Sequence, residues 1–591
     1  MTSPNAARVS PWGWLALLAA SVATYFFGLG SPFAPTNGDE MVYIHIARLT
    51  ALSDHWLPLV SDLANMRNTK PPLLFWQAMV AGDWGQNWSL FALRLPSVVY
   101  TLLTTGLIAV VTRRITGNLR TALLAGVLYL LFFSTFRYGR VYLTSGPETF
   151  WFCLPLFWLL WLQADQPRNN GPVTLGRGAF TAVGIAMGLG MAYKSFALVA
   201  PAAAALWCAM VWRSPLPAWR DTLRSTVGVG WSATVALALF AVWFALDPDP
   251  GAVWKEFVVG ENAGKMSGEH GYWHAALFGQ YPLWSQLLAY PENAGLLSLL
   301  VIGWAGTEAR AWLKRPNSER VAPTTRILWI WLLVWLVVFS LPSQRSARYV
   351  IPAMPVVAIL MAMSWDKVAR PWLWATWLLV IPALGVMARV GWVMGEMQIA
   401  SGIQVAMTLV AACAGAASVV AGFLIKSWAK NATLTSCLAV YVTFGVMTAP
   451  LSGPEAGYDY SVQKAMKGQR VAVPNGFTGQ YERFHFVLPH SAVVPYDAEG
   501  RNTGAHKPDL PPDERLTYLL DNFDAVVWLQ DQPDRLQPSC LPQCAVLGSR
   551  WHVKSRHKSG EVTLANVWQP QEWLFRREWL LKKLPASSAT P

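Results

Sequence analysis

Runs of about 18–22 mostly apolar residues recur along most of this 591-residue chain, and each is long enough to cross a bilayer as a helix. They fall at roughly 12–30, 95–112, 119–136, 147–163, 178–193, 195–212, 224–246, 293–306, 325–341, 349–364, 370–390, 404–424 and 433–450. Composition agrees: 54% of residues are hydrophobic and 13% charged, roughly half the charged fraction of a soluble domain. The first run has a basic flank at Arg8, as a signal peptide would, but it is long and no A-x-A-like site follows it closely, so it reads as a span.

The net charge of +13 does not point to nucleic acid, because much of it lies in short loops between runs. Arg113, Arg114 and Arg120 share one such loop, Arg213, Arg220 and Arg224 another, and Arg310, Lys314, Arg315, Arg320 and Arg326 a third. Lys367 with Arg370, and Lys426 with Lys430, fill two more. With thirteen spans and a cytoplasmic N-terminus, all five loops are cytoplasmic. Residues 31–94, residues 247–292 and everything after 450 then lie on the far side. The expected architecture is an all-α polytopic membrane domain over 1–450, with about thirteen helices, followed by a soluble α/β domain over 451–591.

The far-side loops carry cations that the positive-inside rule disfavours: Arg48, Lys70, Arg94, Lys194, Arg345 and Arg348 among them. A functional reason is an anionic ligand such as a lipid phosphate. The bland reasons are pairing with nearby acids and contact with headgroups. Lys194, between two close-set runs, reads as a tight turn at the surface.

The loop from Pro35 to Pro96 is far longer than a connection needs, which marks it as functional. Asn37 is placed to cap a helix, with Glu40 closing a capping box. Asp39 falls in the first turn, where the helix dipole favours its ionised form. Val42, Ile46 and Leu49 share one apolar side, as in a helix lying along the membrane face. In the 247–292 loop, two short amphipathic pieces with Gly breaks are expected. Glu261, Asn262, Lys265, Glu269 and His270 could line a polar site there. His270 with Glu261 and Glu269 is a loose set for a metal, and a solvated surface is the simpler reading.

After Pro454, charged and polar residues increase and strand-like runs appear at Arg470–Val473, Ala525–Leu529, Ala545–Leu547 and Val562–Val567, with a helix at Leu516–Asp521. The tail has no Gly-rich phosphate loop and no triad signature. Cys540 and Cys544 are spaced to pair if this domain is in an oxidising compartment. Cys153, Cys208, Cys413 and Cys437 lie in apolar runs and read as small buried hydrophobes.

Four blocks occur in order: GDEMVYIHIAR from Gly38, KPPL from Lys70 with Trp76 after it and RLPS from Arg94, GLGMAYKSFALVAP ending at Pro201, and SLPSQRSARYVIPAMP ending at Pro355. Together they resemble the polyprenyl-phosphate-sugar glycosyltransferases of the C-type membrane fold, in particular the lipid A aminoarabinose transferases and the dolichyl-phosphate-mannose protein mannosyltransferases. The resemblance implies a bacterial inner-membrane enzyme with a periplasmic active site and C-terminal domain. It implies an undecaprenyl-phosphate-sugar donor and a lipid A or other envelope acceptor. By the same resemblance Asp39, with Glu40 beside it, is the catalytic acid. Lys70, Arg48, Arg94, Lys194, Arg345 and Arg348 surround the donor phosphate, and Tyr43, Trp76, Glu148, Glu261, His270 and Tyr349 belong to the cavity. Three positions depart from the pattern. Thr69 stands where the aminoarabinose group has an acid, Ser145 stands at a second family acid with Glu148 nearby, and Lys-Gly becomes Lys194-Ser195. Metal dependence is left open.

This chemistry suits the residues. A sugar on a lipid phosphate is already activated, so transfer needs a carboxylate for the acceptor proton and cations for the leaving phosphate. A single displacement inverts the anomeric centre. Three alternatives compete: a transferase acting on protein or glycan hydroxyls, a transporter or flippase for lipid-linked anions, and a scaffold in which Asp39 is dispensable. The large outer loops and the lack of a visible internal repeat weigh against a transporter.

Overall fold

The computed structural model describes residues 11–31, 38–165, 175–212, 218–263, 272–279, 281–314, 321–451, 457–476, 479–497, 510–530, 538–554, 557 and 559–584. A helix meets each of the thirteen apolar runs. Among the described residues, seven helices are long and apolar enough to cross a membrane: Leu90–Thr116, Trp219–Leu246, Leu283–Leu313, Pro323–Ser340, Arg370–Glu396, Gly402–Leu424 and Ala429–Leu451. The helices Leu119–Leu131, Phe196–Val211 and Ala347–Met363 are shorter.

Local chemistry sets the turns between spans. Gly117 ends the helix Leu90–Thr116 in the left-handed region (φ 68°), where only glycine is unstrained. The Asn118 side chain then accepts the Arg120 N–H at 2.9 Å and starts the next helix. Ser401 and Gln404 form a reciprocal capping box at the start of Gly402–Leu424.

The C-terminal domain is a five-stranded sheet of β1 (Arg470–Asn475), β2 (Ala492–Asp497), β3 (Ala525–Gln530), β4 (Cys544–Val553) and β5 (Phe575–Lys583), in the order β2-β1-β3-β5-β4. β1 pairs parallel with β2 and β3, while β5 runs antiparallel between β3 and β4. The helix Pro512–Asn522 covers the expected Leu516–Asp521. The segment 562–567 is a turn, not a strand; the side chains of Thr563 and Asn566 bind the backbone and close it locally. β5 was not expected, because its FRREWLLKK run is too charged to read as a buried strand. Its Glu578 is fully buried between Arg483 and Arg550. A disulfide joins Cys540 and Cys544, with Cα atoms 5.6 Å apart.

The helix Gly38–Leu52 does not lie on a membrane face with one side covered. Met41 to Ala47 are all buried. This helix sits inside a core shared by the membrane and C-terminal halves, with Ile44, Ile46, Tyr142, Tyr481, Phe484 and Val473 in one apolar cluster. Gly479, at φ 76°, touches it so closely that an added Cβ would come within 2.9 Å of Val42. The tail is therefore fastened to the Gly38–Leu52 helix by direct packing.

Candidate active site

A cavity of about 760 Å³ opens beside the first turn of Gly38–Leu52. It brings together Asp39, Tyr43, Lys70, Lys194, Glu261, Arg348 and Tyr349, which lie up to about three hundred residues apart in sequence. Each cation reaches the cavity by a different local device. Pro71 is extended and Pro72 occupies the first turn of the helix Pro72–Ala81, so Lys70 lies at the head of that helix. Lys194 sits in the break between Arg177–Tyr193 and the 3₁₀ turn Phe196–Leu198. Arg348 lies in the 3₁₀ helix Ala347–Ala353, whose start is capped by the Ser346 hydroxyl.

Every one of these cations has a carboxylate partner. Arg348 Nη1 donates to Asp39 Oδ2 at 3.0 Å, Lys70 Nζ to Glu261 Oε2 at 3.2 Å, and Lys194 Nζ to Glu148 Oε1 at 2.8 Å. The three pairs differ in burial. Glu148 is fully buried, whereas the Asp39 and Arg348 side chains keep 37% and 36% of their exposure. The Lys70 and Glu261 side chains keep 16% and 32%, so the Asp39–Arg348 pair is the most open of the three to an incoming group. Arg348 also lies over the Tyr138 ring at 4.7 Å and Lys194 over the Tyr349 ring at 5.9 Å. Lys194 is not a surface turn: its stem is packed and its amine faces the cavity, because a cation at a helix break beside a buried acid is held inward.

Several expected residues lie elsewhere. Glu40 follows Asp39 but points about a quarter-turn away along the helix, to Arg94. Arg94 Nε and Nη2 donate to the two Glu40 oxygens at 2.7 and 2.8 Å, and its Nη1 donates to the carbonyls of Leu29 and Ser31. Glu40 Oε1 also accepts the Tyr142 N–H at 2.9 Å. Both side chains are fully buried, so this pair fixes the loop to the bundle and is turned away from the cavity. The Glu40 carboxylate is occupied by these partners; Asn37, the expected cap, lies outside the described residues. Arg48 turns to the C-terminal domain, where Nη2 donates to Glu482 Oε2 at 3.0 Å. Arg345 is buried and donates to the carbonyls of Ser340 and Tyr281 at 2.8 and 2.9 Å, so it holds a loop. Trp76 packs edge-on against Trp56 and donates to its carbonyl. Glu148 reaches the cavity only through Lys194. His270, Glu269 and Lys265 lie outside the described residues, among which no group of three His, Cys, Asp or Glu side chains is placed to hold a metal.

Sequence reasoning gave no role to Tyr138 and read Ser195 only as a departure from the family pattern, while it placed Asn262 among residues that could line a polar site. The Ser195 hydroxyl donates to Asn262 Oδ1 at 2.7 Å, which ties the helix break to the π-helical segment Trp254–Asn262. The backbone at Ser195 is extended (φ −169°), so the glycine of the family pattern is not required there. The one available signal was that Tyr-Lys-Ser and Gly-Glu-Asn are both polar interruptions beside apolar segments.

Chemically, the cavity offers two carboxylates, Asp39 and Glu261, and three cations on an apolar floor, an arrangement that can receive a phosphate and a hydroxyl together. The fold defines the class. Nearly the whole chain superimposes on the crystal structure of ArnT from Cupriavidus metallidurans in the apo state, with TM-score 0.55, 17% identity, and 98% of this chain and 99% of that chain covered. The form of the same protein bound to undecaprenyl phosphate gives TM-score 0.53 and 18% identity over similar coverage. The chain therefore has the C-type glycosyltransferase fold with a C-terminal sheet domain.

Sequence narrows the class. The family model for dolichyl-phosphate-mannose-protein mannosyltransferases matches residues 14–253. The undecaprenyl phosphate-alpha-4-amino-4-deoxy-L-arabinose arabinosyl transferase 1 of Sodalis glossinidius is 28% identical over 357 residues, 59% of this chain and 58% of that protein. The corresponding transferase of Pseudomonas paraeruginosa is 28% identical over 329 residues, 55% of this chain and 54% of that protein. The chain thus matches less than two thirds of the length of these relatives. By fold and sequence it is a relative of the polyprenyl-phosphate-sugar glycosyltransferases of the aminoarabinose transferase and protein mannosyltransferase group.

Proposed function

We propose that this protein transfers a sugar from an undecaprenyl-phosphate donor to a lipid A-type acceptor, with inversion, at the periplasmic face of a bacterial inner membrane. The observation that carries the reading is the Asp39–Arg348 pair, the most open of three ion pairs around one cavity. The charges of the three pairs cancel, so an arriving phosphate must take a cation from a carboxylate. Arg348 is the accessible one. Its transfer to the phosphate releases Asp39 from the arginine beside the donor sugar, with Lys70 and Lys194 close to the same phosphate.

In the reaction, an acceptor hydroxyl attacks the anomeric carbon and the bond from that carbon to the phosphate oxygen breaks. Asp39 takes the hydroxyl proton. The phosphate leaves as undecaprenyl phosphate, its developing charge met by Arg348, Lys70 and Lys194 through charge-assisted hydrogen bonds. Because the donor is already activated, no nucleotide site is needed. The inner-membrane location and periplasmic cavity are supported by basic residues in the short loops at the opposite end of the spans. A second reading, transfer to a protein hydroxyl, is favoured by the match of residues 14–253 to the mannosyltransferase model.

The test is incubation of purified protein in lipid discs with an undecaprenyl-phosphate aminopentose and lipid A, followed by mass spectrometry of both lipids. Undecaprenyl phosphate and glycosylated lipid A should appear together. An intact donor in the presence of lipid A and of protein acceptors would remove the transferase reading and favour transport.

A further inference from the structure

The C-terminal domain reaches down the side of the helical bundle. β4 ends at Val553 and the chain returns to the sheet only at Phe575. Part of this excursion lies against the spanning helix Arg370–Glu396. The Trp568 ring lies over Gly385, where an added Cβ would come within 3.5 Å of it, and Arg389 Nε donates to the Trp568 carbonyl at 3.0 Å. Higher on the same helix, Trp392 is half exposed and its indole N–H donates to Glu396 at 2.8 Å. An apolar ring with its polar edge turned to the helix end is the usual stance of a tryptophan at a membrane–water boundary. Gly385 is about seven residues deeper, or roughly 10 Å at 1.5 Å per residue. Exposed apolar side chains, Leu378 and Ile381, continue down the helix from there.

The tip of the excursion is itself apolar and uncovered. Leu564 is 93% exposed, and Val562 and Trp568 are exposed with it. Part of its backbone is hydrogen-bonded locally. The Thr563 N–H donates to Asn566 Oδ1 at 2.7 Å, Asn566 Nδ2 donates to the Glu561 carbonyl at 2.8 Å, and the Val567 N–H donates to the Thr563 carbonyl at 2.9 Å. The Asn566 carbonyl accepts from the Gln569 N–H and from the Trp573 indole. Such local pairing lowers the cost of bringing irregular backbone to a membrane interface.

We propose that the Val562–Trp568 tip is a membrane anchor that dips into the leaflet on the side of the C-terminal domain, with Leu564 and Trp568 on the acyl side of the boundary that Trp392 marks. Its partner is lipid, and the surface continues the lipid-facing side of Arg370–Glu396. The depth inferred from Gly385 matches the 5–10 Å typical of interfacial segments. The C-terminal domain is then held in place by lipid as well as by its packing on the Gly38–Leu52 helix.

The proposal is tested on the full chain with its four free cysteines replaced by alanine and one nitroxide introduced by Leu564→Cys. The protein is placed in discs of phosphatidylethanolamine and phosphatidylglycerol, and collisions with oxygen and with a water-soluble nickel chelate are measured. Labels at Leu378→Cys and Asp513→Cys give the lipid and water references. The 564 label should favour oxygen several-fold over the 513 label, as the 378 label does. A nickel preference equal to that at 513 overturns the anchor. If the 564 variant does not fold, a label at Val562→Cys is read by the same criterion.

Discussion

Asp39 and Arg348, 309 residues apart in the chain, meet at 3.0 Å at the edge of the cavity. The loop helix and the 3₁₀ turn that carry them share no sequence neighbourhood, so the contact exists only in the folded bundle. It holds a carboxylate in place until a stronger anion claims the arginine. If Arg348 grips the donor phosphate, Arg348→Ala should weaken undecaprenyl phosphate binding by about tenfold to a hundredfold, since hydrogen bonds to charged groups contribute ~1.5–3 kcal/mol. Lys70→Ala should act in the same direction. Calorimetric titration of the purified variants measures this, and unchanged affinity in both would remove the phosphate site.

The Glu40–Arg94 pair should behave differently. It is fully buried and its hydrogen bonds are complete, so removing one partner strands a charge. Arg94→Met should cost about 3–5 kcal/mol of stability. The folded fraction should still bind undecaprenyl phosphate with ordinary affinity. Thermal unfolding in detergent and titration of the folded material separate this from a direct role in phosphate binding, which would lower affinity without a large drop in Tm.

Docking of the C-terminal domain should weaken in acid. Burial alone would raise the Glu482 pKa, but hydrogen bonds from His45 and Arg48 outweigh it and hold the carboxyl below its ordinary value. Its stabilisation is present above the ordinary carboxylate range and is lost as pH falls through the lower, folded value. His485 acts in the same direction: burial pushes it down to about 4, so it favours the folded form above its unfolded pKa of about 6.5 and loses that contribution between there and 4. Tm should therefore hold near neutral pH and fall from about 6.5 downward, and His485→Gln should flatten the upper part of that fall. A wild-type Tm that does not change between pH 7 and 4 would contradict this.

Much of the architecture could be read from the sequence because bilayer length and charge bias act on every span alike. The thirteen helical runs, the long loop before the Leu90–Thr116 helix and the change of composition that precedes the sheet domain all came from such repeated, local signals. Asp39, Lys70, Lys194, Glu261 and Arg348 were found because they are charges on a side where charge needs a reason. What the sequence could not separate was which of those charges face a cavity. Arg94, Arg48 and Arg345 look like Arg348 in composition, yet each is held by a partner that only the fold supplies: Glu40, Glu482, and two backbone carbonyls. β5 was hidden for the same reason, since the buried Glu578 is tolerable only beside Arg483 and Arg550.

The Cys540–Cys544 pair gives a test of sidedness. Only three residues lie between the cysteines, so the bond stabilises the domain little through chain entropy, and its loss should leave Tm nearly unchanged. In intact spheroplasts, an impermeant maleimide should label these cysteines only after reduction. Labelling that requires opening the membrane would place the domain on the other side and contradict the orientation.

The most direct measurement is turnover and undecaprenyl phosphate affinity of Asp39→Asn, side by side in lipid discs. Asparagine keeps the shape but cannot take a proton, and it no longer competes for Arg348. Turnover should fall by about 100-fold or more, while undecaprenyl phosphate binds at least as tightly as before and Tm is preserved. Near-normal turnover in that variant would contradict the assignment of Asp39 as the carboxylate that activates the acceptor.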